Sequence, residues 1–102
     1  MKKYNKLIRD RIPEIIAADG RACKTQVLSD EQFQEYLNRK ILEEVKEYLD
    51  SGEVEELADL EEVIRAILDV KGVTYEEFEK IRTAKVEERG AFKKKLLLIE
   101  TE

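Results

Sequence analysis

The chain has 102 residues and a formal net charge of −5, from 24 acidic against 19 basic side chains, and it contains no histidine. The acidic balance argues against generic nucleic-acid binding, which draws its affinity from a positive surface that releases counterions. The missing imidazole excludes Ser-His-Asp and Cys-His nucleophile systems, HExxH zinc sites and Glu-x-x-His di-iron bundles, so any acid-base or metal chemistry rests on carboxylates.

The length predicts a single domain, residues 1–102, near the size at which one core suffices without being generous. Hydrophobic and charged residues each make up 42% of the chain, with only 4 Gly and 1 Pro, which predicts an all-α protein. The lone Cys23 has no partner for an internal disulfide, which fits a reducing, cytoplasmic setting. No apolar leader opens the chain and no apolar run approaches the roughly 20 residues that span a bilayer, so no membrane association is expected.

In chain order, the first nine residues read as an irregular basic arm. "DRIPEIIAADG" then predicts a short helix opened around Pro13 and closed by Gly20. "LSDEQF" is a helix start, with Ser29 as N-cap, Gln32 closing a capping box and Leu28 facing Phe33 as a hydrophobic staple. The helix it opens should run from Asp30 to about Leu49 and break at Ser51 and Gly52. A second long helix follows from Glu53 to about Lys71 and stops at Gly72; so short a link makes the two antiparallel. "VTYEEF" repeats the starting device with Thr74 as N-cap and Glu77 closing the box, for a helix reaching about Arg89 before Gly90. Two β-prone pieces, residues 24–28 and 95–99, could form short terminal strands that pair with each other, a point periodicity does not decide for runs this short.

Acids are concentrated where helical projection expects apolar contact. At about 100° per residue, Phe33, Leu37, Ile41, Val45, Tyr48 and Leu49 share one arc of the first long helix. Glu44 falls inside that arc and Glu47 at its margin, whereas Glu43 projects to the opposite, solvated side. On the second helix Glu56 projects between Val63 and Ile67, and Asp59 between Ala66 and Val70. Two i, i+3 acid pairs therefore lie on or beside facing surfaces. Burying unpaired carboxylates costs several kcal/mol each, and Lys40 is the one base near them in projection. A hard divalent cation would balance the charge, Mg²⁺ first and Mn²⁺ second, since the ligands are all oxygen. The competing reading leaves the four acids on the solvated surface.

"EEVKE" followed closely by "EELAD" resembles the ExxE and ExxD signature of the MazG-like all-α nucleoside triphosphate pyrophosphohydrolases, which include phosphoribosyl-ATP pyrophosphohydrolase and the dimeric dUTPases. "YNKLIRDRIPEIIAADG" and "KVEERGAFKKKLLLIE" are similar to the two ends of a compact phosphoribosyl-ATP pyrophosphohydrolase-like branch, so the resemblance extends over nearly the whole chain. It implies an antiparallel helical bundle assembling as a homodimer or homotetramer, with Mg²⁺ held by Glu44, Glu47, Glu56 and Asp59. The implied reaction splits the α-β anhydride of a nucleoside triphosphate into a monophosphate and pyrophosphate. Glu47, at the arc's margin, is the residue placed to orient or deprotonate the attacking water. Lys6, Arg9 and Arg11, or Lys85 and Arg89, are the candidates for phosphate contact. The short turn "YLDSG" between the motifs departs from larger family members and leaves base and sugar choice open. The alternative from another class is a non-catalytic helical module that uses its apolar face to dimerise or bind a partner.

Overall fold

Ser29 behaves as its position in the sequence predicts: its hydroxyl accepts the Gln32 backbone N–H at 3.2 Å, and the Gln32 side chain accepts the Ser29 N–H at 3.2 Å. This box opens α2 (Asp30–Ser51) in a computed structural model that describes residues 2–102. Gly52 ends the helix with φ 71°, ψ 8°, a left-handed conformation that a Cβ would penalise. Glu53 is then the N-cap of α3 (Val54–Lys71), which Gly72 closes the same way at φ 72°. α1 (Ile12–Ala18) begins with Pro13 in its first turn, where a missing N–H costs nothing. α4 (Tyr75–Arg89) starts at Thr74, whose hydroxyl accepts the Glu77 N–H at 3.1 Å. The box expected there is only half formed, because the exposed Glu77 carboxylate makes no return bond to Thr74.

The described residues are all-α, with these four helices and no strand. Both candidate strands are therefore corrected to coil. A strand needs a neighbouring strand's backbone for every other N–H and C=O, and residues 24–28 and 95–99 form no such ladder. Their side chains are correspondingly bare, Val27 and Leu96 to Ile99 all standing in solvent.

α2 and α3 form the one extensive helix contact, a hairpin in which residues 44 and 56–59 meet near the turn while Leu37 lies near Ile67 and Val70 at the far end. That pairing is antiparallel. Its core is thin: Leu37, Val63 and Leu68 are the buried apolar residues. α4 touches α3 lightly, helped by the Arg65 guanidinium 3.7 Å above the Tyr75 ring. No helix among the described residues is long and apolar enough to cross a membrane.

Candidate metal centre

Because α2 and α3 run antiparallel from a tight turn, the acid eight residues before Gly52 meets the acids four and seven after it. Carboxylate oxygens of Glu44, Glu56 and Asp59 lie within 4.8 Å of one another, and those of Glu43, Glu44 and Glu47 do likewise. Glu44 belongs to both groups and joins them. It is only 5% exposed, and its Oε2 is buried with no hydrogen-bond partner. The other oxygen, Oε1, has the Lys40 ammonium 3.5 Å away. A buried carboxylate left half satisfied is costly, so the donor set fits an ion that would take the free oxygen.

Electrostatics agree with that geometry. Burial pushes the Glu44 carboxyl above its ordinary value, and neighbouring Glu47 pushes it further, against the opposing pull of Lys40. Glu56 is raised too, by desolvation first and then by Glu47 and Asp59. Both shifts report carboxyl groups withdrawn from water first, and set beside other acids second.

The basic arm supplies part of the compensation. Arg9 donates to Asp59 Oδ1 at 2.7 Å, and the Lys6 ammonium lies 3.5 Å from Glu43 Oε1. Lys40 sits 3.4 Å from the same Glu43 oxygen. Both arm contacts are solvent-accessible, so each contributes modestly. Their geometric effect is larger: they lay residues 6–9 over the acidic seam.

The fold thus brings together Glu44, Glu47, Glu56 and Asp59, with Lys6 and Arg9 beside them. Glu47 is exposed, in keeping with its place at the arc's margin. Arg11 turns instead to Glu14, 3.2 Å away on its own helix. Lys85 and Arg89 stand exposed on the last turns of α4 and join no ion pair among the described residues. Glu43 is the member that helical projection missed. It is half-buried rather than solvated because the arm covers it, and its only sequence signal is Lys40 one turn earlier.

No protein-family model matches the chain, and no solved structure gives a significant match. An uncharacterized protein of Mycolicibacterium smegmatis (strain ATCC 700084 / mc(2)155) is 49% identical over 41 residues, which is 40% of this chain and 42% of that relative. The matched region thus spans less than half of either protein, and the similarity carries no activity with it.

Proposed function

We propose that this chain is a Mg²⁺-dependent nucleoside triphosphate pyrophosphohydrolase of the MazG-like kind, working in the cytoplasm as a homodimer or homotetramer. The observation that carries the reading is Glu44, a carboxylate sealed between two helices with one oxygen unpartnered and two further acids, Glu56 and Asp59, within ligand distance. Glu44, Glu56, Asp59 and Glu47 are the residues that would hold the ion, with Mn²⁺ a workable substitute. When bound, it supplies charge neutralisation on the phosphate oxygens.

The chain's own residues do the rest. Exposed Glu47 accepts a proton from a water that attacks the α-phosphorus as the bond to the bridging α-β oxygen breaks, giving a nucleoside monophosphate and pyrophosphate. Arg9 and Lys6, already beside the acids, turn their donors to the phosphate oxygens; Arg11, Lys85 and Arg89 remain weaker candidates for the same contact. Such contacts are worth most at sites where charge develops in the transition state.

The test is product analysis across the common and modified nucleoside triphosphates. Mg²⁺-dependent release of monophosphate plus pyrophosphate is expected, with activity abolished in a folded Glu44→Gln variant. Gln keeps the shape and removes the charge. Orthophosphate as product would place cleavage at the γ-phosphate instead.

A second reading, the non-catalytic association module, draws support from Leu42, Leu49 and Val54, each more than 70% exposed near the α2–α3 turn. It requires no ion. Turnover that vanishes with Glu44→Gln would reject it, whereas no turnover on any nucleotide would favour it.

A further inference from the structure

After Gly90 closes α4 the chain turns once, with the Lys95 N–H donating to the Phe92 carbonyl at 3.3 Å, and continues as coil. This tail carries apolar surface that nothing in its own chain covers: Phe92 is 97% exposed and Leu96 to Ile99 are 77–85% exposed. Lys93, Lys94 and Lys95 stand between Phe92 and the run and join no ion pair among the described residues. Contiguous bare apolar residues of this kind mark contact surfaces.

A second uncovered surface lies at the turn of the hairpin. Leu42, Val45 and Leu49 share one face of α2 by their spacing, and Val54 and Leu57 carry the apolar surface past Gly52 onto α3. Acids crowd the same stretch, since residues 43–56 hold seven of them and one base, Lys46. Asp50, Glu53 and Glu55 are exposed and join no ion pair among the described residues. The tail thus offers three unpaired cations beside an apolar run, and the turn offers three unpaired anions beside an apolar stripe. Their dimensions agree. Laid out fully, residues 96–99 reach about 13 Å, and Leu42 to Leu49 rise about 10 Å along α2. A run apolar at every position, rather than at every second one, has two faces to bury, and α2 and α3 offer apolar residues on two sides.

α4 leaves the hairpin at Gly72, the end opposite this turn, and among the described residues it touches no helix but α3. One chain therefore leaves both surfaces bare, and a second copy supplies what each lacks. We propose that residues 92–99 of one copy seat on the Leu42–Leu57 surface of another, and the reverse, so that two chains exchange tails about a two-fold axis. Such closure covers both surfaces at once. The exchange rests on the homo-oligomer proposed above and on no step of the hydrolysis.

The experiment is sedimentation equilibrium of the full chain at micromolar concentration, with two variants run alone and mixed. The tail variant carries Leu96→Ser, Leu97→Ser, Leu98→Ser and Ile99→Ser; the stripe variant carries Leu49→Glu. All five positions are exposed in the single chain, so each folded monomer should persist, and unchanged helicity checks this. Each variant alone is expected to self-associate about tenfold or more weakly than the wild type. Mixed, the two should form a heterodimer tighter than either variant's own dimer, because the intact tail of one still meets the intact stripe of the other. Lys93→Gln, Lys94→Gln and Lys95→Gln together should weaken association at low salt and flatten its salt dependence. A monomeric wild type, a variant that assembles like the wild type, or a mixture no tighter than its components would each overturn the exchange, the last by pointing to tail-on-tail or stripe-on-stripe contact. Tail-dependent binding of anionic vesicles by a monomeric chain would overturn it in favour of a lipid surface. Assembly that responds to the variants without hydrolysis of any nucleotide keeps the contact and removes the activity. Hydrolysis by a chain whose assembly ignores both variants does the reverse.

Discussion

Glu44 and Glu56 bind a proton more tightly in the folded chain than in the unfolded one, since burial and neighbouring acids raise both above the ordinary 4.5. The sign of the pH dependence follows from linkage. The stability associated with these protons is complete below about 4.5 and is lost as pH rises through the raised values. With metal chelated, the melting temperature should therefore fall between mildly acidic and neutral pH. The Glu79 carboxyl, lowered by its bond to Arg82, acts in the opposite sense, but its window lies below 4.5 and does not offset the cluster. Mg²⁺ requires the deprotonated carboxylates, so its stabilisation should grow over the same rise in pH and largely disappear in Glu56→Gln. Thermal melts with chelator and with Mg²⁺ across that range check both halves. A flat chelated profile with no Mg²⁺ gain at neutral pH would remove the metal centre from the account.

What holds the carboxylate cluster together at the level of elements is the phase of α2 relative to α3, set at Gly52. A Cβ there would meet no atom within 4 Å, so Gly52→Ala tests the left-handed backbone alone. That conformation costs about 1–2 kcal/mol for an alanine, and about 1 kcal/mol corresponds to roughly 4–8 °C in a domain near this size. A melting temperature lowered by that amount is expected, and an unchanged one would mean that the turn does not fix the hairpin. This part of the fold was legible in the sequence because its causes are local: Ser29 with Gln32, Thr74, and the glycines at 52 and 72 act on backbone within a turn of themselves. The burial of Glu44 was legible too, because it follows from periodicity. Glu43 was not, since a helical projection contains no information about what an irregular arm will cover. The approach of Lys6 to Glu43 was invisible for the same reason, being made across the intervening α1 and its flanking coil. The two candidate strands failed because an apolar run such as residues 95–99 has propensity without a partner, and strands exist only in pairs.

At the scale of the whole molecule the single chain is poorly closed. Its radius of gyration is 18.0 Å and its longest dimension 59 Å, whereas a compact chain of about 100 residues has a radius near 13 Å. Three large apolar residues are buried, while Leu42, Val45 and Leu49 present a stripe along α2 that continues past the turn into Val54 and Leu57. Each Leu or Val moved from such a surface into an interface contributes about 1.5–3 kcal/mol, and a stable interface needs roughly 800 Å² from each partner. The expected result is a dimer or larger assembly by light scattering at micromolar concentration, shifted toward monomer by Leu49→Glu. That substitution sits at a position already 74% exposed and removes no core contact, so the folded monomer should persist with its helicity intact while the assembly weakens. A wild type that is monomeric under these conditions would defeat the assembly. A Leu49→Glu variant that stays assembled would locate the interface elsewhere, with the bare apolar run of residues 96–99 the next surface to mutate.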